Sequence, residues 1–237
     1  MPSPEARLAL LNEQQAAITH ALTAMSSGRW TGEDSVEAWL LALNPTLNGQ
    51  LSPRTPLYEP LASSGIPGAS PVWIGSPNCW RGHGGFKPVA IVLHRMAGTL
   101  SACDAWFVQS AAQVSAHYGI GLQGQQHQYV ALADSAWANG ILEQGNTWPG
   151  PQGNPNYQTI SIETDDNGSG TTPVTDAQYA ATLQVANLAK QTYPSIQWLL
   201  RHTDISPRSR PDCCGARWVN SGRFKDLATK LSLKTTF

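Results

Sequence analysis

The sequence predicts an α/β or α+β domain, a mixed central β-sheet flanked by helices, with a small helical N-terminal extension. Two observations carry this. Short, strongly apolar runs bounded by Pro, Gly or polar residues alternate with longer amphipathic stretches in the C-terminal part of the chain, the pattern of strands interleaved with helices. Two neighbouring strand-like runs flank the polar Gln-Gly-Gln-Gln and read as a hairpin, so the sheet contains antiparallel as well as parallel pairs.

Taken in order, Leu8, Leu11, Ile18, Leu22 and Met25 recur at helical spacings, and after Ser-Ser-Gly a second helix carries Val36, Trp39, Leu40 and Leu43 before stopping at Asn44-Pro45. The Pro-, Gly- and Ser-rich string SPRTPLYEPLASSGIPGASP follows, which is the composition of a linker. Residues 1–65 are therefore read as a helical module with its linker, and residues 66–237 as the main domain. Val89 to Leu93 is continuous, β-branched and apolar, as in a strand buried on both faces. Ser101 and Asp104 suggest a capping box opening a helix with Phe107, Ala111, Val114 and Tyr118 inside. The hairpin spans His117 to Leu122 and His127 to Leu132, and a long aperiodic loop covers residues 139–158. Thr159 to Glu163 is a further strand. Thr175 with Gln178 caps a helix through about Thr192, and Ile196 to Leu200 is a last buried strand delivering Arg201 and His202.

Composition narrows the function. A chain that is 41% hydrophobic and 13% charged, with net charge −1, is too apolar for disorder. It also lacks the basic excess expected of a nucleic-acid binder. No apolar run is long enough to insert into a membrane, and the N-terminus has no secretory signal pattern. A monomer without nucleic acid is the expectation.

His94 falls at the end of the first buried strand and His202 just past the last, where central strands open onto a sheet edge and sites are built. Asp212 and Cys213 follow His202 by ten and eleven residues in the loop SPRSRPDCCG. Two imidazoles with one thiolate or carboxylate, and a fourth position for water, form the ligand set of a catalytic zinc.

The segments IVLHRMAG, SAHYGIGLQG, AWANG, TISIE and HTDISPRSRPDCCGARW, in this order, resemble the zinc-dependent N-acetylmuramoyl-L-alanine amidases of the type 2 amidase and peptidoglycan-recognition-protein superfamily, to which many phage endolysins belong. The likeness spans about residues 78–232. It implies one zinc per chain, bacterial peptidoglycan as partner, and cleavage of the amide joining N-acetylmuramic acid to L-alanine. Superfamily members that have lost a zinc ligand are non-catalytic binding modules, which is the alternative.

Carried over by position, the resemblance makes His94 and His202 zinc ligands and Glu163 the general base. Cys213 is the preferred third ligand, because Gly215 then falls in register and thiolate is the softer donor; Asp212 is the alternative. Arg210 would stabilise the oxyanion. Trp106, Tyr118, Trp137 and Asn139 are candidate substrate contacts, Asn139 or Ala138 standing where relatives often carry His, and Ala116 where some carry Tyr. The resemblance also implies a disulfide near Cys79 and Cys103. The missing signal suggests a phage or prophage lysin acting on the cell wall, released through a pore or by lysis. The string AWLLALNPTLNGQLSP faintly resembles toxin-binding modules of antitoxins, but a helical extension that targets the wall or packs on the amidase explains the same residues.

Overall fold

A computed structural model describes residues 70–237; the helices and most of the linker expected in residues 1–65 and beyond lie outside the described residues. In chain order the elements are β1 (Val72–Trp73), β2 (Cys79–Trp80), β3 (Ala90–Arg95), α1 (Leu100–Phe107), β4 (Tyr118–Ile120), β5 (Gln126–Gln128), β6 (Ser135–Ala136), β7 (Thr159–Thr164), α2 (Asp176–Thr192), β8 (Trp198–Arg201), α3 (Ala216–Asn220) and α4 (Arg223–Lys230). Six strands form one mixed sheet in the order β1-β5-β4-β7-β3-β8, while β2 and β6 pair separately. Four of the five pairings in this sheet are parallel, and β4 with β5 is antiparallel. The fold is the expected mixed sheet with helices.

Strand alternation sorts the central residues onto two faces. Ile91 and Leu93 of β3, Ile160 and Ile162 of β7 and Leu199 of β8 are fully buried and share one cluster with Val185, Ala186 and Ala189 of α2 and with Trp218, Phe224 and Leu227. Each Leu or Ile so buried contributes roughly 1.5–3 kcal/mol relative to exposure. The α2 helix reaches this face because its buried positions, Gln178, Ala181, Thr182, Val185, Ala186 and Ala189, form one stripe. Its first turn is closed as expected, the Thr175 hydroxyl accepting from the Gln178 N–H at 3.0 Å. On the opposite face, Ala90, Val92, Leu200 and Ile205 form a smaller cluster, and the polar residues at the strand ends lie beyond it.

Several local expectations shift. The helix α1 is capped by Thr99, whose hydroxyl accepts from Ala102 N–H at 3.3 Å, not by Ser101. Asp165 also accepts from the Leu100 N–H at 2.8 Å. The expected box cannot form because the Asp104 carboxylate is engaged elsewhere, 2.9 Å from His127 Nδ1 and accepting the Tyr129 hydroxyl at 2.7 Å. The helix ends at Phe107, and Val114 is exposed. The hairpin strands are shorter than expected, and the loop of residues 139–158 ends in a 3₁₀ turn over Pro155–Gln158. The disulfide implied for Cys79 and Cys103 is absent: both are free thiols, with Cys79 packed against the small cluster that contains Cys103.

Candidate active site

Register builds the site. Strands β3 and β7 pair in parallel with His94 opposite Glu163, so both side chains emerge on the face opposite Ile162 and Leu93. The His94 Nδ1 atom lies 3.8 Å from Glu163 Oε1. On the other side of β3, the chain leaves β8 and turns through His202–Asp204, a turn fixed by the Asp204 carboxylate accepting from Arg201 N–H at 2.8 Å. That turn brings the His202 ring centroid to 4.4 Å from His94, tilted by 55°. The loop from Ser206 to Gly215 then folds back, with Thr203 N–H donating to the Cys213 carbonyl at 2.8 Å.

The result is a buried cluster in which donor atoms of His94, His202 and Cys213 all lie within 4.8 Å of one another. The Cys213 Sγ atom accepts from the Arg95 N–H at 3.3 Å. Asp212 is exposed and lies outside the cluster, because the same turn that points the Cys213 side chain inward points its neighbour's out.

Burial sets the protonation states. It lowers both histidines, His202 to about 4, with the neighbouring imidazole and the Arg210 charge adding to the effect at His94. Both rings are therefore neutral near pH 7. Burial, and then the nearby Glu163 carboxyl, push the Cys213 thiol well up. Glu163 rises to about 8 through burial and Asp166, opposed by Arg210. Arg210 is itself exposed, and its charge reaches His94, His202 and Glu163.

The other sequence candidates separate. Tyr118 pairs with Ile162 and is 1% exposed within the apolar cluster, so it faces away from His94 and cannot contact a substrate there. Asn139 is fully buried and serves the interior. Trp106 is exposed on α1, and Trp137 is half-buried with an unpartnered buried Nε1. Two supports were not legible in the sequence. The Thr164 hydroxyl donates to the His94 carbonyl at 2.7 Å and accepts from Trp218 Nε1–H at 3.1 Å, and the Asn139 carbonyl lies 3.3 Å from His202 Nε2. No local pattern marks a backbone carbonyl as a partner.

Comparison with known proteins places the chain in a family. Residues 84–216, more than half of the chain, match the family described as N-acetylmuramoyl-L-alanine amidase. The 1,6-anhydro-N-acetylmuramyl-L-alanine amidase AmpD of Haemophilus influenzae is 33% identical over 102 residues, covering 42% of this chain and 52% of that protein. The chain thus spans about half the length of this curated relative. A crystal structure of an AmpD derivative superposes with a TM-score of 0.54 at 26% identity, covering 67% of this chain and 94% of that one. The amidase AmiD from E. coli, in complex with the substrate anhydro-N-acetylmuramic acid-L-Ala-D-γ-Glu-L-Lys, shares the fold at a TM-score of 0.50 and 23% identity, over 62% of this chain and 58% of that one.

Proposed function

Since the chain belongs to the N-acetylmuramoyl-L-alanine amidase family, we propose that it hydrolyses the amide between N-acetylmuramic acid and the L-alanine of the peptidoglycan stem peptide, using a zinc ion held by His94, His202 and Cys213. The observation that carries this reading is the convergence of three buried donors beside the Glu163 carboxyl. The donor set fits zinc. Two neutral imidazoles and one sulfur suit a borderline-soft cation, and three protein ligands leave a position open for chemistry. His94 Nε2 and Glu163 Oε2 are buried without a hydrogen-bond partner, and the Arg95 N–H aimed at Cys213 Sγ supports a thiolate there. A cation reverses the cost that burial imposes on that thiolate, so binding would release a proton.

When bound, the ion supplies Lewis-acid polarisation of the scissile carbonyl and lowers the pKa of the attacking water. Glu163 supplies the proton traffic. Its raised pKa, about 8 without a cation, suits a carboxyl that takes a proton and then passes it to the departing amine. Arg210, whose charge already reaches all three neighbouring groups, would meet the negative charge that develops on the carbonyl oxygen. Trp106 and Trp137 would offer ring surface to the sugar.

The test offers the purified protein intact peptidoglycan and, separately, an anhydro-muramyl tripeptide, and follows newly exposed L-alanine amines. We expect release that a chelator abolishes and zinc restores. No release from either substrate at full zinc occupancy would replace this reading with a peptidoglycan-binding module. Cleavage of intact walls would favour a lysin, and cleavage of the small fragment alone a role on soluble wall fragments. Among the described residues no helix is long and apolar enough to cross a membrane.

A further inference from the structure

The loop that follows β8 carries His202, Arg210 and Cys213, and among the described residues one side chain from outside it holds the backbone of its crest. Pro207 has no N–H to give, and the next two amides, of Arg208 and Ser209, both donate to Glu143 Oε2, at 2.7 and 3.0 Å. Ser209 is gripped at its other end as well. Its carbonyl accepts from Arg210 Nη1 at 2.9 Å, so a single residue connects the Glu143 carboxylate to the Arg210 guanidinium. On its inner side Arg210 is tied to the metal-binding cluster, since Cys213 N–H donates to the Arg210 carbonyl at 3.2 Å. The segment that carries Glu143 is fixed in its turn. Glu143 N–H donates to the Ile205 carbonyl at 3.1 Å, Thr147 N–H to the Asp204 carbonyl at 2.8 Å, and the Ser206 hydroxyl to the Ile141 carbonyl at 3.0 Å. Those bonds reach no further than residue 206, and the contact of the Arg208 guanidinium with the Gln144 side chain does not touch the backbone. The crest therefore depends on the Glu143 carboxylate.

We propose that Glu143 is a positioning residue which, by fixing Ser209, holds the Arg210 guanidinium where it meets the negative charge developing on the scissile carbonyl. An exposed arginine has many rotamers to choose among, whereas a guanidinium tied to a fixed carbonyl is already in place when charge appears, which is what electrostatic preorganisation requires. An ionised acceptor makes the stronger hydrogen bond, and the bonds from Ser209 and then Arg208 hold the Glu143 carboxyl below its usual range. This inference rests on the amidase reading above for its consequence in turnover, and not for its geometry.

The test is a double-substitution cycle on the full chain loaded with zinc, using whichever substrate the wild-type chain cleaves. Arg210→Ala should lower kcat roughly 100-fold, as loss of an oxyanion donor does. Glu143→Ala, which leaves the backbone bond to Ile205 in place, should lower kcat about 10-fold with KM nearly unchanged. The double variant should fall no further than Arg210→Ala alone, because Glu143 acts through Arg210. Glu143→Gln keeps an oxygen acceptor at the same place and should recover most of the loss, and every variant should keep about one zinc per chain. Independently of turnover, the Arg208 and Ser209 amides should exchange hydrogen slowly in the wild-type chain and about 10-fold faster or more in Glu143→Ala. Additive losses in the double variant, loss of zinc in Glu143→Ala, or wild-type amides that exchange as fast as in an unstructured chain would each overturn the proposal. The wild-type exchange needs no variant, so a substitution that fails to fold leaves the test standing. A wild-type chain without turnover at full zinc occupancy removes the amidase reading and with it the role of Arg210, whereas normal turnover with additive losses removes the role of Glu143 alone.

Discussion

The two faces of the central sheet are built from the same strands and obey opposite rules. On one face Ile91, Leu93, Ile160, Ile162 and Leu199 are apolar and fully buried beneath α2, α3 and α4. On the other, His94, Glu163, Thr159 and Ser161 are polar, and His94, Thr159 and Ser161 are buried nonetheless. The difference teaches how the site is held. Burial of the apolar set specifies the register of β3 against β7, because a one-residue slip would turn every side chain to the wrong face. That register then places His94 opposite Glu163. The apolar face is thus where stability resides, and the polar face is where it is spent, since buried polar groups gain little beyond what water gave them.

The comparison can be broken most severely on the polar face. His94→Ala or His202→Ala should abolish both zinc and turnover while the fold survives, and Cys213→Ser should follow them, read by metal analysis of the purified chains. About one zinc per chain retained in both histidine variants would remove the site assignment. Next in size, Glu163→Gln should keep zinc and wall binding while kcat falls roughly 100- to 10,000-fold; near-normal turnover would mean that another group moves the proton. On the apolar face the pattern should invert. Ile162→Ala should cost roughly 2–5 kcal/mol in denaturant unfolding with kcat per folded molecule unchanged, and loss of activity beyond the loss of folded protein would show that the faces are not separable.

Acid gives a smaller, graded contrast. His202 and His117 are held near pKa 4 by burial, below the 6.5 they regain on unfolding. Between those values the unfolded chain binds more protons, so stability is full above about pH 6.5 and is lost as pH falls toward 4. Glu163 has the opposite sign: raised to about 8, it favours the metal-free fold at low pH and withdraws that support as pH rises from 4.5 to 8. Unfolding midpoints of the chelator-treated chain across pH 4 to 8 should therefore rise and then flatten or decline. A monotonic rise through pH 8 would show that Glu163 titrates normally. The smallest expected effect is Asp212→Ala, at an exposed position, which should stay within about 0.5 kcal/mol in stability and keep its zinc.

The sequence by itself determined the elements whose signals are complete within a few residues. Val89 to Leu93 announces β3 by its unbroken β-branched run, and the α2 helix carries both its Thr175 cap and its buried stripe in plain view. The strand that carries Glu163, the mixed sheet and the ordered segments that resemble the amidases were legible for the same reason. Only the tertiary structure decided what depends on partners far away in the chain. Tyr118 looked available until the pairing of β4 with β7 turned it into the core. Asp212 and Cys213 could not be ranked by geometry until the loop after His202 folded back against Arg95. Thr99 displaced Ser101 as a cap because Asp104 is drawn to His127 and Tyr129. Asn139, expected to touch substrate, instead faces the sheet hydroxyls of Thr159 and Ser161. Periodicity and capping are short-range chemistry that a string of residues can carry, whereas the facing direction of a side chain is fixed by which strand lies beside it, and that is settled only when the whole core has closed.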